Sequence, residues 1–216
     1  MFRHVLHDRQ WCDIKIMHLS GTDTAKCLIH DKVVCYPKWQ PNGGQIAYEY
    51  YRDTVGDIWI MDSLGKYNRS LIKNARHPCW TADGKKILFT RSFEVYLFDL
   101  KTQVERQLTF VTSKGIRVKM PVISPDEQTI AFMGFDSSGM AALYTYALNG
   151  DGIVRRFDNC DKANWTNDPR YLVASCQSGV NRPWQIDLID ITTGEKRIVI
   201  DEAKNDYDPC WISISR

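Results

Sequence analysis

A chain of 216 residues, 44% hydrophobic and 12% aromatic, is long enough to bury one sizeable core. Its 28 Lys and Arg stand against 26 Asp and Glu, a formal net charge of +2, so no global field points to nucleic acid or an anionic membrane. No run of about 18 apolar residues would cross a membrane as a helix, Met1 to Arg9 lacks the apolar centre of a secretory signal, and seven scattered Cys, an odd number, argue for a reducing cytoplasm with no disulfide expected.

From the N-terminus, His4–His7 and Asp13–His18 read as strands, and Ser20-Gly21 as a turn into a further strand at Ala25–Ile29. A recurring pattern then begins: Pro-x-Trp, a turn, and a short apolar strand. Its first copy runs from Tyr36-Pro37-Lys38-Trp39 through Pro41-Asn42-Gly43-Gly44 to Ile46-Ala47-Tyr48. The second is His77-Pro78-Cys79-Trp80 with Asp83-Gly84 and Ile87-Leu88-Phe89, and the third is Met120-Pro121-Val122-Ile123 with Pro125-Asp126 and Ile130-Ala131-Phe132. Lys162-Ala163-Asn164-Trp165 opens a fourth, and Asp208-Pro209-Cys210-Trp211 a fifth. The steps from Trp39 to Trp80, Ile123, Trp165 and Trp211 are 41, 43, 42 and 46 residues, the length of a four-stranded propeller blade.

Each copy continues into a third strand, as at Asp57-Ile58-Trp59-Ile60-Met61-Asp62 and Glu94-Val95-Tyr96-Leu97-Phe98-Asp99, and then a fourth, as at Lys196–Ile200. Turn signals such as Asn149-Gly150 and Thr193-Gly194 separate them, and no segment keeps a helical period. The expectation is an all-β, five-bladed propeller of four-stranded antiparallel blades. The blades would span 36–76, 77–119, 120–161, 162–207, and a composite of 208–216 with 1–35, one domain over 1–216. In the last blade Cys210–Ile214 would pair with the N-terminal strands, closing the ring and removing its open edge. Trp39, Trp80, Trp165 and Trp211 would pack between neighbouring blades.

The repeated Pro-x-Trp-x-Pro/Ala-Asn/Asp-Gly, apolar strand and Asp-Ile-Trp-Ile-Met-Asp resembles the repeat of the TolB-like, WD-repeat-like β-propeller family. The resemblance covers nearly the whole chain and implies the propeller fold. Such repeats serve periplasmic scaffolding, peptidase gating, lyases and binding proteins, so it implies no single activity. TolB itself carries an extra domain for which this chain has no room.

In such blades the loops before the first strand and between the second and third share one face, where the central channel opens. Tyr36, His77, Met120, Lys162 and Asp208 are expected around that mouth, with Arg52, Arg76, Arg91 and Arg182 on the rim beside Phe93, Phe135 and Trp184. Arg with aromatics suits a planar or anionic ligand through bidentate bonds and stacking; ordinary solubilising surface is the alternative reading. His77, Cys35, Cys79 and Asp208 share the mouth, but no paired zinc-type spacing occurs, so neither metal nor cofactor is expected. Carboxylates are too few there for a glycosidase, and neither a nucleophile elbow nor a phosphate-binding Gly loop is present.

The reading is a binding propeller that takes a small polar or anionic ligand, or a protein segment, at the channel mouth, with no nucleic acid and no membrane partner. The alternative is a lyase- or cyclase-type enzyme at the same mouth, with His77 as base, Tyr36 or Tyr207 as acid and Arg76 or Lys162 as electrostatic stabiliser.

Overall fold

The computed structural model describes residues 2–5, 12–16, 26–30, 33–52, 55–150, 152–179 and 183–200. The N-terminal strands β1 (Phe2–Val5), β2 (Cys12–Ile16) and β3 (Lys26–Ile29) form an antiparallel three-stranded sheet. Four four-stranded antiparallel sheets follow, each strand beside its sequence neighbour. Blade 1 is β4 (Val34–Trp39), β5 (Gln45–Arg52), β6 (Val55–Asp62) and β7 (Arg69–Ile72). Blade 2 is β8 (Arg76–Trp80), β9 (Lys86–Arg91), β10 (Glu94–Asp99) and β11 (Glu105–Gln107). Blade 3 is β12 (Arg117–Ile123), β13 (Thr129–Phe135), β14 (Ala141–Ala147) and β15 (Gly152–Asp158). Blade 4 is β16 (Cys160–Trp165), β17 (Tyr171–Gln177), β18 (Trp184–Asp190) and β19 (Lys196–Ile200). Among the described residues the only helix is one 3-10 turn, Thr112–Lys114, so no helix there is long and apolar enough to cross a membrane.

The described residues therefore hold four complete blades, not the five expected. The N-terminal strands fall where the repeat puts them, but the strand expected at Cys210–Ile214 lies outside the described residues. Ile14 and Ile29 of the N-terminal sheet pack with Val34, Ile46, Tyr48 and Met61 of blade 1, as one blade packs on the next.

The core lies between blades. Ala47, Ile58 and Ile60 of blade 1 meet Trp80, Ile87 and Phe89 of blade 2, and equivalent clusters join blades 2 to 3 and 3 to 4. The middle strands are covered on both faces, so Ile87 to Thr90 and Ile130 to Gly134 are buried without a break. Trp80 and Trp165 are core residues, as expected, and each also ties two blades. Trp80 Nε1 donates to the Lys38 carbonyl at 3.0 Å and Trp165 Nε1 to the Val122 carbonyl at 3.2 Å, each one repeat back along the chain. Trp39 is half-buried against the N-terminal cluster, and Trp211 lies outside the described residues.

Two expectations are corrected. The first strands begin earlier than the repeat suggested, so the candidate mouth residues lie inside these strands. Each first strand breaks register there, between Cys35 and Lys38, Arg76 and Cys79, Lys119 and Val122, and Cys160 and Ala163. Two residues face one across each break, a β-bulge that turns a side chain out of the pleat. Proline explains the first three: Pro37, Pro78 and Pro121 have no N–H to give the ladder, so pairing skips them. Tyr36, His77 and Met120 before them take the left-handed conformation, at φ 49°, 53° and 50°. In blade 4 the proline is replaced by Ala163, which can donate and pairs with Ala174, and the bulge moves one residue earlier to Asp161 and Lys162.

The second correction concerns cysteine. Cys160 and Cys176 face each other across β16 and β17, with Cα atoms 4.1 Å apart, and form a disulfide where none was expected. An odd total leaves one thiol over and says nothing against a pair. Cys79 keeps a free thiol.

Candidate functional site

Glu49 anchors the candidate site. It lies on β5 where the other blades carry Thr90, Met133 and Ser175, and it is fully buried. A buried carboxylate needs partners. Arg76 Nε donates to Oε1 at 2.8 Å, and the His77 backbone N–H, freed from the ladder by the bulge, donates to Oε2 at 3.0 Å. The Arg76 guanidinium also donates to the Tyr51 hydroxyl and lies 5.0 Å from the centre of its ring. Gly56 makes room: a Cβ there would stand 2.9 Å from Glu49 Oε1.

His77 is 5% exposed, not the surface residue its loop position suggested. Its Nδ1 is 2.8 Å from Thr90 Oγ1, whose own proton goes to the Arg76 carbonyl at 3.3 Å. That chain assigns the imidazole proton to Nδ1 and leaves Nε2 as the lone-pair nitrogen. Burial pushes the His77 pKa down to about 4; Glu49 opposes this and the Arg76 and Lys119 charges add to it. The ring is therefore neutral near pH 7. Tyr36 tilts against it, ring centres 5.0 Å apart.

A cavity of about 250 Å³ opens beside this network at the end of blade 2 where its second and third strands join. His77, Arg76, Arg91, Phe93 and Lys119 are among its lining residues. Arg91 is held by Glu105 in an ion pair, and its NH2 donates to the Lys73 carbonyl at 2.7 Å. Since Arg76 is matched by Glu49 and Arg91 by Glu105, the positive charge left over in the cavity is Lys119. It meets no carboxylate among the described residues and lies 4.7 Å from the centre of the Phe135 ring.

The turn Ser92-Phe93 links β9 to β10 with only two residues, and both have positive φ, 49° and 64°. That hairpin geometry favours Asn-Gly, and a bulky residue there is strained. The turn holds the Phe93 ring at the cavity, 46% exposed, with the Arg117 guanidinium 5.7 Å from its centre. Strain of this kind gathers at binding sites.

Of the sequence candidates, then, Arg76, His77 and Arg91 line one cavity. Tyr36 touches it through His77, while Met120 and Lys162 occupy equivalent bulges without lining it. Asp208 and Arg182 and the side chain of Arg52 lie outside the described residues. Glu49 went unrecognised in the sequence, whereas Lys119 stands just outside the mouth in the repeat, one residue before Met120. Glu49 was visible as the one carboxylate at its repeat position. The turns on the opposite side are structural, as expected: Asp83 accepts from Thr81 Oγ1 at 2.7 Å and from the Lys85 N–H at 3.0 Å.

The profile of the TolB beta propeller domain family matches residues 4–213. The chain belongs to the TolB beta-propeller family. No curated protein matches it in sequence. Among solved structures, TolB from Acinetobacter baumannii is 21% identical with a TM-score of 0.69, over 91% of this chain but 50% of that one. This TolB-family chain thus spans half the length of that structure. A puromycin-hydrolyzing peptidase from Mycobacterium tuberculosis is 14% identical, TM-score 0.60, over 92% of this chain and 37% of that one. The acylaminoacyl peptidase of Pyrococcus horikoshii is 16% identical, TM-score 0.56, over 79% and 33%. At these identities the likeness is one of fold.

Proposed function

We propose that this TolB-type propeller is a binding scaffold that takes a segment of a partner protein, through an acidic side chain or terminal carboxylate, at the mouth-side cavity of blade 2. The observation that carries this reading is the pairing of Lys119, whose charge no carboxylate answers there, with the exposed Phe93 on its strained turn. A cation beside an exposed aromatic ring suits a carboxylate next to an apolar group. A volume of about 250 Å³ admits one or two side chains, not a folded surface. The His77 environment supports binding over lyase chemistry, because a ring whose pKa is about 4 is a weak base near neutral pH. Selecting peptides from a random displayed library on the folded protein, then solving the complex, tests this. Acidic peptides seated against Phe93 and Lys119 are the expected result; peptides seated on the outer strands would overturn it.

The same reading takes residues 208–216 with 1–35 as a fifth blade. The packing of the N-terminal sheet on blade 1 supports it.

A further inference from the structure

Blade 1 and the N-terminal sheet can be laid over one another residue by residue. Ile58 pairs with Ile72 in blade 1 as Ile14 pairs with Ile29, and Trp59 pairs with Ser70 as Lys15 pairs with Cys27, with the same register break between the two pairs. Asp57 opens the third strand of blade 1 and Asp13 holds its place in the N-terminal sheet.

In blade 1 this corner is an ordinary structural cap. Asp57 accepts from Lys73 Nζ at 2.8 Å and from the Asn74 N–H at 3.0 Å, and Ser70 stands on the neighbouring strand. Blade 2 uses the position in the same way: Glu94 accepts from Thr109 Oγ1 at 2.5 Å and from the Val111 N–H at 3.1 Å and the Thr112 N–H at 2.7 Å.

In the N-terminal sheet two residues of this corner change together. His30 replaces Lys73 and Cys27 replaces Ser70. His30 Nδ1 lies 2.9 Å from Asp13 Oδ1, while Lys15 Nζ takes the other oxygen at 3.3 Å. One ligand atom from each of Asp13, Cys27 and His30 lies within 4.8 Å of the other two. Asp13 is buried, and Cys27 and His30 are exposed.

We propose that Asp13, Cys27 and His30 form a binding site for a zinc ion on the outer side of the N-terminal sheet. Carboxylate oxygen, imidazole nitrogen and thiolate sulfur together are a donor set for zinc rather than for calcium or magnesium, which take oxygen. With the thiol deprotonated the set carries a charge of −2, matching a divalent ion. Asp13 supplies a fixed ligand, and the two exposed side chains close on the ion from solvent. Zinc would take the place of the proton between His30 and Asp13, and the Cys27 thiol would release its proton on binding, so affinity rises with pH.

The blade 1 corner supplies the control. Cys27→Ser and His30→Lys rebuild in the N-terminal sheet the set that blade 1 already folds with. Zinc chloride would be titrated into the full chain against a chelating indicator dye, and cobalt chloride into a second sample followed by absorbance. The wild type should bind one equivalent of zinc, and cobalt should give a thiolate charge-transfer band. Each substitution should weaken zinc by at least about tenfold and Cys27→Ser should remove the band, with far-ultraviolet circular dichroism unchanged. A band that persists in Cys27→Ser, or zinc affinity equal in wild type and both variants, would overturn the site. Should either variant unfold, Cys27→Ala and His30→Gln repeat the comparison.

Discussion

At the scale of single residues, the network around Glu49 makes two predictions. His77 is buried and neutral, so its folded pKa of about 4 lies below the ordinary value of 6.5. The unfolded chain then binds the extra proton more readily. Stability from this group is whole above about pH 6.5 and is lost as pH falls towards about 4, by roughly 3 kcal/mol in all. Denaturant unfolding of wild type and His77→Gln over that range should show the wild type losing stability more steeply towards acid; parallel curves would contradict the burial argument. Gly56→Ala should destabilise by about 1–3 kcal/mol, because its Cβ would press on a buried carboxylate that cannot leave Arg76. Chemical denaturation reads that directly. The sequence revealed only part of this network. Arg76, His77 and Arg91 stand out by type and repeat position. The burial of His77 depends on a bulge that repacks the chain locally, and the pairing of Arg76 with Glu49 spans two blades.

At the scale of elements, the Pro-x-Trp period, with Ile123 in the tryptophan place of blade 3, set the order and register of the strands in blades 1 to 3. Proline forces the ladder to skip, and Trp80 and Trp165 each fill the gap to the previous blade and bond its carbonyl. Trp80→Ala should cost about 3–5 kcal/mol, and a melting curve unchanged from wild type would remove Trp80 from the core. Where the proline is missing the pattern misled, and Lys162 stands one step off the geometry of its siblings. The disulfide of blade 4 was legible in principle, since Cys160 precedes Asp161 at the bulge and Cys176 is the penultimate residue of the partner strand. It was hidden by reasoning from cysteine number instead of cross-strand position. It removes the cysteine argument for a reducing compartment. Closing a loop of 16 residues, it should stabilise by about 3 kcal/mol. Alkylation of the unfolded chain with and without reductant should show a mass difference of at least one protected pair, and equal masses would contradict it.

At the scale of the whole molecule, the blades are similar, and the proposed site lies where they differ. Among the described residues, only the cavity at the end of blade 2 brings together a strained two-residue turn, a buried histidine and, from β12 of blade 3, a lysine that meets no carboxylate there. Ring closure is a separate matter from that site. Removing Pro209–Arg216 should expose the edge of the N-terminal sheet and give an aggregating or unfolded chain, whereas a truncated protein with the melting temperature of the full chain would exclude closure by this segment. The central claim is that the blade 2 cavity binds a carboxylate-bearing segment, and it rests most directly on Lys119. The decisive measurement is the affinity of a library-selected acidic peptide for wild type and for Lys119→Glu, by fluorescence anisotropy at fixed ionic strength. The predicted result is a loss of at least about tenfold, about 1.4 kcal/mol or more, with the melting temperature preserved. Equal affinity for the two proteins would contradict it.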